Sequence, residues 1–254
     1  MPWMHLTRNA CLIAISLLVL VLSPGIPSHA DTPEVIACDG FNDRNNIQDA
    51  IDAPDISYIL LTGDCQVDET IYITNTRGIR LEGQGRGATT LFWNGGDEAE
   101  TMFSIQNSSD LSFSSFSACV SWGHLESIFD MFHACYFSGD DDSCDGYQAG
   151  DEPGTHRNAF SDIGLGCNAG FGDLDHGIRV RLHPGYGDED DTAEEEDLGN
   201  DQHFFNNVHI SNFNGSAFVL EGKNSTGNTF TACHCSGKIE KYSDSLSGDE
   251  FNPD

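Results

Sequence analysis

Positive charge is scarce in this 254-residue chain: 11 lysines and arginines stand against 41 aspartates and glutamates, for a formal net charge of −30. Only Lys223, Lys238 and Lys241 are lysines. Such a charge repels nucleic-acid phosphates and anionic membrane surfaces, so neither is an expected partner. Three explanations for it stay open: a solvated acidic surface suited to saline surroundings, binding of divalent cations, or a cationic partner. Long apolar runs are also lacking. The run at 11–22 is about a dozen residues, shorter than the ~20 that a membrane-spanning helix needs. Nor does a second cysteine pair with zinc-like spacing accompany Cys233-His234-Cys235. On a strand those two thiols share one face, where packing or disulfide use is the expected role.

The apolar run follows Arg8 and precedes Ser28-His29-Ala30, a small-x-small cleavage signal. Residues 1–30 therefore read as a signal peptide, with an uncleaved anchor as the alternative. Cleavage would leave one domain, 31–254, with no further membrane segment, secreted or periplasmic. Of nine cysteines, Cys11 lies in the signal. The other eight, Cys38, Cys65, Cys119, Cys135, Cys144, Cys167, Cys233 and Cys235, favour disulfides in an exported chain. Connectivity stays open. A Cys38–Cys65 bond would staple a capping helix to the first coil, and Cys135–Cys144 would close a loop.

Residues 39–94 carry the strongest structural signal. Ile47, Ala50 and Ile51 fall at helical spacing, and Pro54 stops the helix. Such a helix would cover the open apolar end of a stacked-coil fold. Beyond it, short alternating segments put apolar side chains on one face: Ile71/Ile73, Ile79/Leu81, Leu91/Trp93, Phe103/Ile105, Leu111/Phe113, Ile163/Leu165/Cys167, Ile178/Val180/Leu182 and Val208/Ile210. Gly, Asn, Ser and Asp between them turn the chain tightly. Asn207 and Asn228 read as the starts of equivalent strands one coil apart. An antiparallel sandwich would also alternate. Leu125, Ile128, Phe129, Phe132 and Tyr136 fall at helical spacing, so 124–137 is expected to be a helix or an irregular insertion. The like-charge block 188–197 reads as a mobile loop, and acidic loop insertions are expected near 138–155 and 186–201.

Asp39-Gly40, Ile47-Gln48-Asp49-Ala50-Ile51 and Gly83-Gln84-Gly85-Arg86-Gly87-Ala88-Thr89-Thr90-Leu91 resemble the pectate lyase-like superfamily, with a looser match to about residue 240. The resemblance implies an all-β fold, a right-handed parallel β-helix (solenoid) with a short N-terminal capping helix. It implies no single activity, because lyases, hydrolases, epimerases, tailspikes and adhesins share the fold.

Within a β-helix, a lyase of uronic acid polymers needs a base beside a carboxylate neutralised by Arg or Ca²⁺, and a hydrolase needs a pair of acids. The richest cluster is 173–183. With Ile178, Val180 and Leu182 inward, Arg179, Arg181 and His183 line the other face, and Asp173, Asp175 and His176 precede them. Arg offers bidentate donors to carboxylate or sulfate. The alternative is a salt-bridged strand in a very acidic protein. Gly177-Ile178-Arg179-Val180-Arg181 is similar to the Arg-Ile-Lys strand of polygalacturonases, and Asp140-Asp141-Asp142 to their paired acids. The chain lacks their Asn-Thr-Asp strand and Gly-His-Gly coil, and Arg181 stands where Lys is expected. Asp141, Ser143, Asp145 and Glu152 around Gly146 have the oxygen-ligand spacing of a Ca²⁺ loop, the alternative being a plain acidic loop. Trp93, Trp122 and Phe204-Phe205 are candidates to stack on sugar rings or to fill the core.

The expected function is a secreted carbohydrate-interacting β-helix, acting as a polysaccharide lyase or hydrolase on acidic polysaccharide. Two alternatives stand beside it: a non-catalytic protein binding polysaccharide or cell-surface glycan, and an acidic Ca²⁺-stabilised exported protein.

Overall fold

The strands are short because the chain turns every few residues and each strand finds its partners in neighbouring coils. The computed structural model describes residues 32–95, 101–132, 137–138, 141–142, 154–166, 173–181, 199–220 and 227–236. Most of their strands run parallel in three ladders. In the first, residues 58–60 pair with Arg80–Glu82, and Ser112–Ser114, Ala159–Ser161, Phe204–Asn206 and Thr229–Thr231 follow in turn. In the second, residues 63–67 pair with Thr89–Trp93, then Ser117–Val120, Gly164–Leu165, His209–Ile210 and His234–Cys235 follow. The third joins Ile71–Thr74, Thr101–Gln106, His124–Phe132, Asp173–Arg181 and Ser216–Leu220. The chain visits the ladders in a repeating order. The fold is all-β with parallel, curled sheets, an arrangement compatible with a solenoid.

Stacking in register places like side chains over one another. In the first ladder Ile59, Leu81, Phe113, Phe160, Phe205 and Phe230 share one column. Phe113, Phe160, Phe205 and Phe230 stack face to face, with successive ring centroids 5.1, 5.2 and 4.8 Å apart. Phe103 and Phe129 do the same in the third ladder at 4.8 Å. Burying one such side chain is worth about 1.5–3 kcal/mol, and aromatic pairing adds about 0.5–1.5 kcal/mol. The described residues of the alternating pairs read from sequence, Ile71/Ile73 through Val208/Ile210, are all buried.

The corners explain the Asn, Asp and Gly spacing. Ser115, Asp162, Asn207 and Ala232, each just past a first-ladder strand, all have φ between 53° and 62°. Asn and Asp adopt this left-handed conformation more readily than other residues with a side chain. At Gly166 (φ 72°) a Cβ would lie 1.9 Å from the Ser211 carbonyl oxygen, so only glycine fits. Where the third ladder returns to the first, buried side chains satisfy backbone groups from coil to coil. Asn158 Nδ2 donates to the Ser108 carbonyl (3.2 Å), and its Oδ1 accepts from Leu111 N–H (2.9 Å). His203 Nδ1 accepts from Asn158 N–H at 3.2 Å, and Asn228 Oδ1 from His203 N–H at 2.9 Å.

The helix forms where expected, Asp43–Asp52, burying Ile47, Ala50 and Ile51 in the same core. The Asp43 carboxylate is 1 % exposed. It accepts N–H bonds from Asp39 (3.2 Å), Gly40 (3.0 Å) and Gln66 (2.8 Å), tying the helix start to the first coil. The disulfide Cys38–Cys65, with Cα atoms 4.7 Å apart, holds the same junction. Cys119 is also disulfide-bonded. Among the described residues Cys233 and Cys235 are free thiols, and burial pushes the Cys235 thiol up to about 11. The Cys135–Cys144 pairing and the 188–197 block lie outside the described residues.

Two expectations need correction. Residues 124–132 form the strand His124–Phe132, not a helix. Lying between two parallel neighbours, it buries Leu125 and the whole of 127–131, which mimics a helical stripe in sequence. Asn207 and Asn228 are also not equivalent. Phe205 pairs with Phe230, so the coil offset is 25 residues; Asn228 sits level with His203, and Asn207 with Ala232.

Replacing Asp43 with Ala is expected to lower stability by about 1.5–3 kcal/mol, because it strands three N–H donors, and Asn should lose less. Equal chemical-denaturation midpoints for wild type and the Ala variant would contradict this. Burial, followed by the neighbouring His156, pushes the pKa of His203 down to about 3. An unfolded histidine titrates near ~6.5, so the stability involved is complete above about pH 6.5 and is lost as pH falls toward 3. The unfolding free energy of wild type should fall more steeply across that window than that of His203→Gln, and equal slopes would refute the assignment.

Candidate functional site

The strand Asp173–Arg181 alternates Leu174, Ile178 and Val180, which are buried in the core, with charged residues. It pairs with His124–Phe132 on one side and Ser216–Leu220 on the other. Register therefore sets Asp173 beside His124, Arg179 beside Asp130 and Arg181 beside Phe132. Of the residues expected from sequence, Asp173, Asp175, His176, Arg179 and Arg181 lie on this one strand. His183 lies outside the described residues.

Each cation on the strand meets a carboxylate from the preceding coil. Arg181 Nε donates to Asp130 Oδ1 at 2.8 Å and Nη2 to Oδ2 at 2.5 Å, a two-pronged pair. The Arg181 guanidinium also lies 5.2 Å from the Phe132 ring centroid. Asp130 is 1 % exposed, so neither partner is easily withdrawn from the other. Arg179 Nη1 contacts Glu126 Oε1. Nε of the same guanidinium is buried with no hydrogen-bond acceptor. Arg179 is nonetheless 9 % exposed. A buried charged donor with no acceptor is costly, and a ligand oxyanion is one way to satisfy it.

At the start of the strand, His124 Nε2 lies 3.4 Å from Asp175 Oδ2. Asp173 N–H donates to the Gly123 carbonyl at 2.9 Å. Trp122, two residues before His124 in the chain, is 63 % exposed, whereas Trp93 and Phe205 belong to the core. His176 serves the fold instead: its Nδ1 accepts from Ser216 N–H at 3.1 Å.

Sequence reading missed His124, Glu126 and Asp130, because the segment holding them was read as helical. The signal lay in the alternation of Leu125, Ser127, Phe129 and Met131 with Glu126 and Asp130. For the Ca²⁺ loop, the backbone of Asp141–Asp142 pairs antiparallel with Phe137–Ser138, and Ser143, Asp145 and Glu152 lie outside the described residues. Among the described residues no cluster of three or more His, Cys, Asp or Glu could hold a metal. No family model, curated protein or solved structure matches the chain.

Proposed function

We propose that this chain is a secreted, carbohydrate-binding protein built as a right-handed parallel β-helix of the pectate lyase-like kind, with its glycan site on the third ladder. Three features on or beside the third ladder support the reading: exposed Trp122, the His124–Asp175 pair, and Arg179, whose buried Nε has no acceptor. An indole face offers a flat apolar platform for a sugar ring, and paired carboxylate and imidazole bond hydroxyl groups. The guanidinium supplies directed donors for a carboxylate or sulfate on an acidic polysaccharide. The disulfide Cys38–Cys65 fits an oxidising compartment.

Binding is favoured over catalysis by the pairing of the acids. Glu126 and Asp130 each face an arginine, Asp175 faces His124, and a carboxylate held this way is poorly placed as a general acid. Among the described residues, Glu126, Asp130 and Asp175 are thus held in ion pairs rather than presented as the facing pair that a hydrolase requires.

Titration of the protein with a panel of uronic acid polymers and neutral glucans should show saturable binding without unsaturated product or new reducing ends. Trp122→Ala should weaken binding to both classes about tenfold or more, and Arg179→Gln should weaken binding to the acidic class selectively. Absence of binding to every polymer would overturn the proposal. Turnover abolished by Arg179→Ala would replace it with a polysaccharide lyase or hydrolase.

A further inference from the structure

In so acidic a chain an exposed arginine ordinarily finds a carboxylate, and five of the seven described arginines do. Arg77, Arg80, Arg157, Arg179 and Arg181 each form an ion pair. Arg44 directs Nε to the Thr70 carbonyl at 3.1 Å. Arg86 is half-buried and, among the described residues, its guanidinium has neither a carboxylate nor a hydrogen-bond acceptor.

Its position explains what it faces. In the second ladder Thr90, Ser117, Gly164, His209 and His234 form one outward column. Ser117 Oγ donates to the Arg86 carbonyl at 2.7 Å, fixing the backbone of the arginine beside this column. The Arg86 side chain lies over Gly164: a Cβ there would be in ordinary contact with Arg86 Cδ at 3.6 Å and too close to Ser117 Oγ at 2.9 Å. One register step on, the His209 ring lies 5.6 Å from that of His234. His209 Nε2 lies 3.0 Å from Asn207 Oδ1, and Asn207 Nδ2 donates to Asp162 Oδ1 at 2.5 Å. With Nε2 as the donor to Asn207, Nδ1 of His209 remains for a ligand proton or, once protonated, as a donor.

Three cationic or protonatable groups thus converge on one face with an amide and a hydroxyl. The nearest carboxylate in this network, Asp162, is turned to Asn207. We infer that Arg86, His209 and His234 form an oxyanion-binding site on the second ladder, taking a carboxylate, sulfate or phosphate group. The site is separate from the one on the third ladder and stands whether or not that one binds glycan. Partial desolvation, then the charges of Arg86 and His234, holds His209 below the usual histidine range. The groups facing His209 are Arg86, His234 and, through Asn207, Asp162; the paired strand Gly164–Leu165 adds no charge. A bound anion offsets the repulsion among the cations, so binding and histidine protonation reinforce each other, and affinity rises as pH falls through the histidine range.

The test is titration of the full chain with sodium sulfate, phosphate and acetate in separate arms at matched ionic strength, following the imidazole resonances of His209 and His234. The expected result is a saturable shift of both resonances, a rise in the pKa of His209, and affinity that strengthens as pH falls. Arg86→Gln should weaken binding about tenfold or more. Gly164→Val, whose Cβ would press on Ser117 Oγ and disturb its bond to the Arg86 carbonyl, should do the same. Preference for sulfate or phosphate identifies a tetrahedral anion, and preference for acetate a carboxylate. No saturable shift in any arm, or Arg86→Gln binding as tightly as wild type, would overturn the site; loss of glycan binding at the third ladder alone would not.

Discussion

Register is the constraint on which everything else in this molecule rests. A parallel stack works only if each coil presents the same kind of side chain at the same place as the coil before it. The column of Phe113, Phe160, Phe205 and Phe230 meets that demand, with rings stacked at about the spacing of adjacent strands. Loops of different length between the strands are tolerated, because the corners restore the alignment. Left-handed residues at Ser115, Asp162, Asn207 and Ala232 turn the chain at one level of four successive coils, and Asn158 and His203 satisfy backbone groups where the chain turns back.

The same register builds the outer faces. A charged residue facing away from the core lies against its counterparts in the next coils, however distant they are in sequence. On the third ladder this sets Arg181 against Asp130 and Arg179 beside Glu126. On the second it gathers Arg86, His209 and His234. In a chain with a net charge of −30, positive charge is locally concentrated where it appears. The first arrangement is largely neutralised by ion pairs; in the second, Arg86 has no carboxylate partner among the described residues.

Local features were legible in the sequence and long-range ones were not. The capping helix could be read because Ile47, Ala50, Ile51 and Pro54 are adjacent. Core positions such as Ile71, Leu91 and Ile210 could be read because alternation is a property of a few consecutive residues. Cys38 and Cys65 flank the helix and could be paired by that position. The strand 124–132 was misread because burial on both sides filled it with apolar residues that also fit a helix, and Glu126 and Asp130 were lost with it. The equivalence of Asn207 and Asn228 failed because the alignment of coils depends on Phe205 meeting Phe230, which no local pattern reveals. Arg86 and His209 escaped notice for the same reason: only the register brings them together.

The central claim, that one fixed register stacks the coils, is tested most directly by double-mutant cycles to Leu in the phenylalanine column. Phe113 and Phe160 are adjacent there, whereas Phe113 and Phe205 are two coils apart. The first pair should show a coupling energy of about 0.5–1.5 kcal/mol. The second should be additive within about 0.5 kcal/mol. Additivity in the adjacent pair, or equal coupling in both, would contradict the account.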